Sequence, residues 1–113
     1  TTANVLRNKL EGKIESITPL KTKEKIAGKD DFILLDVRTQ QEHDSGHIGG
    51  CLHIPLNELH KRMEQLDDSK EIVTYCGVGL RASHAYQILK NAGFRNVRFM
   101  EGSMAAWPFE IEK

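Results

Sequence analysis

The sequence of 113 residues predicts a three-layer α/β domain, in which a mostly parallel sheet of about five short strands is flanked by helices. Short apolar runs alternate along the chain with segments of helical periodicity, a pattern typical of parallel pairing. The run FILL at residues 32–35 has no polar alternation, which indicates a strand covered on both faces. The length suits a single domain.

The first half of the chain is expected to contain three strands and one helix. The strands are the segments KIESI, FILLDV and CLHI, at residues 13–17, 32–37 and 51–54. Thr18 and Pro19 suit the N-cap and first position of a helix, which Gly28 would end. The polar segment at residues 39–50 is expected to be a long loop or one irregular helical turn.

The second half is expected to alternate two further strands with helices. These strands are EIVTY and NVRFM, at residues 71–75 and 96–100. The helix predicted after Pro55 carries one apolar stripe, formed by Leu56, Leu59, Met63 and Leu66. A longer helix is predicted to start near Ala82 and end at Gly93. Ser103 is expected to cap a short last helix, whose Trp107 packs on the core.

Composition excludes several classes of function. Sixteen basic and sixteen acidic residues cancel, and no basic stripe follows the chain, so no nucleic-acid partner is expected. The apolar runs are too short for a membrane span, so no membrane partner is expected either. Two cysteines, Cys51 and Cys76, do not resemble a secreted disulfide scaffold and favour a reducing, cytoplasmic location.

The segment TYCGVGLRAS at residues 74–83 places a cysteine between a strand and a helix. Sites in open α/β sheets lie at the carboxyl ends of strands, where Cys76 stands. Gly77 and Gly79 permit backbone angles that let successive N–H groups form a nest for an anion. The helix N-terminus and Arg81 add positive charge, which stabilises a thiolate. The alternative is an inert, buried structural cysteine.

Three motifs make the sequence similar to a single rhodanese domain. They are LLDVRTQQEHDSGHIGGCLHIPL, VTYCGVGLRAS and AGFRNVRFMEGSMAAW, at residues 34–56, 73–83 and 92–107. The resemblance covers about residues 14–108 and implies a rhodanese-like fold. It implies a sulfurtransferase in which Cys76 takes a sulfane sulfur from thiosulfate or a persulfide and passes it to a thiol or cyanide. It implies no metal and no organic cofactor.

The resemblance also assigns roles around Cys76. The N–H groups that would bind the sulfur belong to Gly77, Val78, Gly79, Leu80 and Arg81. Arg81 would also bind an anionic donor. Four residues separate Cys76 from Arg81, one fewer than in related cell-cycle phosphatases, which suits a sulfur atom better than a phosphoryl group. Asp36 and Arg38 could line the opening of the cysteine loop, but we expect them to pair with each other and support the loop that follows them.

Histidines and the second cysteine receive weaker assignments. His43 and His47 have the i, i+4 spacing of metal ligands, but no supporting cysteine or carboxylate is evident, so no metal site is expected. His47 is expected to anchor its loop, and His84 to face solvent. Cys51 is expected to be a small buried hydrophobe, with a resolving role toward Cys76 as the alternative.

Three classes of function stay open. The first is a stand-alone sulfurtransferase, with a small-molecule or protein persulfide donor and a thiol acceptor as partners. The second is a domain at residues 14–113 that serves an attached redox domain, because CGVGLRASHAYQIL is similar to rhodanese domains of flavin-dependent coenzyme A-disulfide reductases. The expected N-terminal arm at residues 1–13 and the initial Thr agree with this second class. The third is a non-catalytic binding module, which the presence of Cys76 disfavours.

Overall fold

Five parallel strands form one sheet within residues 15–113, the part of the chain that the computed structural model describes. The strands are β1 Ser16–Ile17, β2 Phe32–Asp36, β3 Leu52–His53, β4 Glu71–Tyr75 and β5 Val97–Met100. Their order across the sheet is β1-β5-β4-β2-β3, and every neighbouring pair is parallel. The predicted strands are confirmed, while the expected arm at residues 1–13 lies outside the described residues.

Within residues 15–113, four α-helices and two short 3₁₀ turns connect the strands, and a third 3₁₀ turn follows β5. The helices are α1 Pro19–Ala27, α2 Gln40–Ser45, α3 Leu59–Arg62 and α4 Leu80–Asn91, and the 3₁₀ turns are Leu56–Glu58, Met63–Gln65 and Ser103–Ala106. The predicted cap of α1 is confirmed, because the Thr18 hydroxyl accepts the Lys21 N–H at 3.1 Å. Within residues 15–113, no helix combines the length and the apolar character that a membrane crossing needs.

Three helical segments differ from the prediction. Helix α2 lies in the segment that was expected to be a long loop or one irregular helical turn, and a capping box joins Thr39 and Glu42 at its start. The predicted helix after Pro55 is instead a 3₁₀ turn, the short α3 and a second 3₁₀ turn. Helix α4 starts at Leu80 rather than near Ala82, directly after a left-handed Gly79 with φ of 116°.

Two apolar clusters lie on opposite faces of the sheet, since neighbouring strand residues such as Leu34 and Leu35 belong to different clusters. One face is covered by side chains from α3 and α4, including Leu59 and Leu89. The other is covered by α1 and the C-terminal turn, where Trp107 packs against the core as expected. The three-layer α/β architecture is therefore confirmed.

Candidate active site

Cys76 follows β4 directly, and its thiol lies under the N-terminus of α4. The residue is 1% exposed, and its Sγ accepts the N–H groups of Gly79 at 3.1 Å and Ala82 at 3.2 Å. The Gly79 N–H is one of the five predicted to bind the transferred sulfur, and the Ala82 N–H was not predicted. Two backbone donors at the N-terminus of α4 therefore point at this sulfur.

Further N–H groups of the cysteine loop are free to bind a ligand. Among residues 15–113, no hydrogen-bond acceptor is found for the N–H groups of Gly77, Val78, Leu80 or Arg81. Those of Leu80 and Arg81 belong to the first turn of α4, whose donors have no partner within a helix. Unpaired donors in a loop of this kind can form a nest for an added sulfur or an anion.

The 3₁₀ turn Ser103–Ala106, which follows β5, is hydrogen-bonded to the backbone of the cysteine loop. The buried Ser103 hydroxyl accepts the Cys76 N–H at 3.1 Å and donates to the Met100 carbonyl at 3.1 Å. The next two N–H groups of the turn donate to the carbonyls of Cys76 and Gly77 at 2.9 and 2.8 Å. The expectation that Ser103 caps the last helical turn is wrong, since Gly102 holds that position and Ser103 instead fixes the backbone of the cysteine loop.

The guanidinium of Arg81 is paired with a carboxylate that the sequence did not single out. Its Nη1 and Nη2 lie 2.6 and 2.9 Å from the two oxygens of Glu42 on α2. A Cβ placed on Gly77 would stand 3.3 Å from Arg81 Nη2, so the pair lies beside the cysteine loop. Hydrogen bonding from Arg81 lowers the pKa of Glu42 to about 2, so the carboxylate is charged at neutral pH.

Asp36 and Arg38 form a buried ion pair at the end of β2. Arg38 Nε and Nη2 contact the two Asp36 oxygens at 3.1 and 2.9 Å, and Nη2 also donates to the Gly46 carbonyl at 2.7 Å. His43 Nδ1 and the Tyr75 hydroxyl lie 2.9 and 3.1 Å from Asp36 Oδ2. This geometry matches the pairing expected of Asp36 and Arg38, which holds the loop between β2 and β3.

Burial and hydrogen bonding have opposite effects on the pKa of Asp36. Burial alone would raise the pKa of Asp36, but hydrogen bonds from Arg38 and His43 outweigh it and hold the pKa below its usual range. Burial raises the pKa of Tyr75, so its hydroxyl stays protonated and can donate. The network therefore contains a charged Asp36 carboxylate and a charged Arg38 guanidinium, and both groups have hydrogen-bond partners.

Histidines crowd the solvent side of this pair. The ring of His43 stacks between those of His47 and His53, with centroid distances of 3.9 and 4.3 Å. His47 anchors its loop as expected, because it exchanges two backbone hydrogen bonds with Glu112 at 2.7 Å. His84 is exposed on α4, also as expected.

The expectation that no carboxylate or thiol lies near His43 is wrong. Potential ligand atoms of Asp36, His43 and Cys51 lie within 4.8 Å of one another. However, Asp36 already accepts hydrogen bonds at both oxygens, including two from the Arg38 guanidinium, whose positive charge would repel a metal ion. The group is an ion-pair network rather than a set of free ligands.

Cys51 packs on the sheet face opposite to Cys76. It is half-buried in the cluster that contains Tyr75, whose hydroxyl lies 3.5 Å from Cys51 Sγ, whereas Cys76 belongs to the other cluster. The sheet separates the two thiols, which contradicts the resolving role for Cys51. Burial raises the pKa of Cys51, so it is a poor nucleophile at neutral pH.

Comparison with known sequences agrees with this geometry. The sequence model of the rhodanese-like domain matches residues 18–109. The chain belongs to the rhodanese-like domain family. It is 36% identical over 99 residues to the Bacillus subtilis protein named "Putative sulfurtransferase YtwF", a match of 88% of this chain and 95% of that protein.

Two solved structures to which this chain is similar contain much longer chains. Reduced Bacillus anthracis CoADR-RHD has a TM-score of 0.79 and 27% identity, and an NAD-dependent persulfide reductase from A. fulgidus has a TM-score of 0.70 and 38% identity. Each match covers 88% of this chain but 17% of the longer one. The predicted similarity to rhodanese domains of coenzyme A-disulfide reductases is confirmed.

Replacing Gly79 by alanine tests whether the backbone donor to Cys76 matters in this rhodanese-like domain. Gly79 and Gly93 both have positive φ, of 116° and 101°, and a Cβ has space at each. Both alanine variants are expected to lose about 1–2 kcal/mol in urea unfolding. Only Gly79→Ala is expected to slow sulfur transfer, by about tenfold, because relaxation of φ moves its N–H away from the sulfur. Equal activity of the two variants would contradict a role for this donor.

Proposed function

We propose that this chain is a sulfurtransferase that carries a sulfane sulfur as a persulfide on Cys76. One observation carries the proposal: the Cys76 Sγ accepts two backbone N–H groups, and its loop carries four more that no described residue uses. Membership of the rhodanese-like domain family and the sulfurtransferase name of a relative support sulfur transfer in general. The chemistry needs a free thiolate, which fits the proposed reducing, cytoplasmic compartment.

The proposed reaction has two displacement steps. The Cys76 thiolate attacks the outer sulfur of thiosulfate or of an organic persulfide, and a new S–S bond forms on Sγ. The old S–S bond breaks, and its electron pair leaves with sulfite or with the donor thiolate. A thiol or cyanide then attacks the outer sulfur, which restores the Cys76 thiolate.

Each part of the loop has a proposed role in this reaction. The N–H groups of Gly79 and Ala82 hold the thiolate, and those of Gly77, Val78, Leu80 and Arg81 receive the transferred sulfur as it gains negative charge. Ser103 keeps the Cys76 backbone in place. Asp36 and Arg38 act as supports that fix the β2–β3 loop carrying Glu42.

Intact-mass spectrometry tests this proposal. The protein is incubated with thiosulfate or with ethyl hydropersulfide, and peptide mapping locates any added sulfur. We expect a gain of one sulfur atom on Cys76, reversed by cyanide, and the same gain in Cys51→Ser. No gain from either donor, or a sulfur found on Cys51, would contradict the proposal.

A second candidate function is persulfide or disulfide handling for an attached redox domain. The observation that favours it is the match to two longer proteins, each of which this chain covers to only 17%. Residues 14–113 would then be the sulfur-carrying domain of a longer polypeptide. The length of the natural reading frame, and sulfur exchange between Cys76 and any attached domain, would distinguish the two functions.

A further inference from the structure

The cysteine loop carries one cationic side chain, and its charge is already balanced. Arg81 meets Glu42 through two hydrogen bonds, and Glu42 Oε1 also accepts the Thr39 N–H at 3.0 Å. The capping box therefore fixes Glu42 in front of Arg81 instead of leaving it to move into solvent. A dianion that approaches Cys76 meets a neutral pair rather than a free guanidinium.

An apolar groove starts at this ion pair. It has a volume of about 470 Å³ and runs between the Leu56–Arg62 segment and α4. Its apolar walls are Val37, Pro55, Leu56 and Ile88. Arg81 lines the groove and also lies beside Gly77, so the groove and the cysteine loop share this side chain. Among the residues that line it, the side chain of Arg81 is the only one with a fixed charge.

We propose that this groove binds the uncharged arm of a low-molecular-weight organic persulfide, and that Glu42 disfavours thiosulfate by neutralising Arg81. The proposal rests on the sulfurtransferase function proposed above and specifies the chemical class of its sulfur donor. The volume lies in the range of small-ligand sites, which favours a small molecule over a protein segment. Apolar walls stabilise a bound carbon chain, whereas the one fixed positive charge that a dianion would meet among the lining residues is that of Arg81, which Glu42 balances.

The donor step in this proposal follows directly. The Cys76 thiolate attacks the outer sulfur of R–S–SH, and the bond between the two donor sulfurs breaks. Its electron pair leaves with R–S⁻ while the arm R stays in the groove. The product is the Cys76 persulfide, and no further oxidant or reductant is required.

A series of alkyl hydropersulfides, from ethyl to hexyl, measures the contribution of the groove. If the arm binds there, kcat/KM is expected to rise about twofold to fourfold for each added methylene, until the groove is filled. Asn57→Trp places an indole at an exposed position that lines the groove. We expect this variant to lose the dependence on chain length. A flat series in the wild-type protein would overturn the proposal.

Glu42→Gln measures the effect of the ion pair. Freeing the Arg81 charge is expected to raise kcat/KM for thiosulfate about tenfold, and for a hydropersulfide, which carries at most one negative charge, by no more than about threefold. The matched control is Glu110→Gln, which makes the same change in net charge at an exposed ion pair with Lys23. It is expected to change neither value. No rise for thiosulfate in Glu42→Gln would overturn the role of Glu42.

A persulfidated protein provides the remaining comparison. Val78 and Leu80 of the loop are 74% and 80% exposed and could instead contact a protein donor. Persulfidated serum albumin is therefore assayed beside the alkyl series, and faster transfer from it than from hexyl hydropersulfide would overturn the small-molecule assignment. If no donor loads Cys76 at all, the proposed function itself fails. If thiosulfate loads Cys76 but the alkyl series is flat, only the present inference fails.

Discussion

Replacing Cys76 by serine is expected to abolish sulfur transfer from thiosulfate and from hydropersulfides, with kcat at least about a thousandfold lower. A serine hydroxyl is not ionised at neutral pH and cannot form the S–S bond on which the reaction depends. The loop itself should persist, because the serine oxygen can still accept the N–H groups that Cys76 Sγ accepts from Gly79 and Ala82. The loss would therefore be chemical rather than structural.

Two measurements make this prediction specific. Steady-state rates are compared for Cys76→Ser and for Cys51→Ser, whose site lies on the opposite sheet face and which we expect to stay within about twofold of wild type. Urea unfolding then shows whether Cys76→Ser keeps the midpoint and m-value of a folded domain. A Cys76→Ser protein with more than a tenth of the wild-type rate would place the reacting group elsewhere.

The sheet and the longer helices could be predicted because their signals are local. β2 contains the apolar run FILL, β4 contains the apolar pair Ile72 and Val73, and the start of α1 is marked by the N-cap Thr18 and by Pro19. Helix α2 has one local signal, the capping box of Thr39 and Glu42, but none of its residues is buried and it has no apolar stripe. It is stabilised by its capping box and by contacts with residues far away in sequence, such as Glu42 with Arg81.

Some residues of the candidate site could likewise be predicted from the local sequence, and others could not. Cys76 and its glycines form one short segment, so the motif alone indicated the cysteine as the reacting residue. Glu42 and Ser103 are 39 and 27 residues from their partners in the loop, and only the fold brings them together. Ala82 lies beyond the glycines of the motif, and the folded first turn of α4 brings its N–H to the sulfur. With the helix starting at Leu80, the N–H of Ala82 is a first-turn donor that faces the sulfur.

Arg38→Met is expected to destabilise the domain by about 3–5 kcal/mol in urea unfolding, the largest stability change expected here. The substitution keeps much of the side-chain volume but leaves the fully buried Asp36 carboxylate without its cation. It also removes the donor to the Gly46 carbonyl. Arg62→Met is the matched control and should cost less than about 1 kcal/mol, because the side chains of the Arg62–Glu58 ion pair are 34% and 45% exposed.

The double variant Asp36→Asn with Arg38→Met keeps this prediction testable if the single variant does not fold. Asparagine brings no charge into the interior and can still accept from Tyr75, so the double variant should be more stable than Arg38→Met by about 1–3 kcal/mol. Equal or lower stability of the double variant would mean that the loss came from packing around Arg38. The buried charge would then not be its cause.

Acid unfolding gives an independent check, because the sign of the effect is fixed by the depressed pKa of Asp36. A carboxylate with a lower pKa in the folded state stabilises the protein above the unfolded value of about 4, and this stability is lost as pH falls through the folded pKa. In Arg38→Met, burial is no longer outweighed and the Asp36 pKa rises, so stability should fall less steeply below about pH 4. Glu42 and Arg81 are unchanged in both proteins, so their contribution cancels in the comparison. An identical slope in the two proteins would mean that Arg38 does not set the ionisation of Asp36.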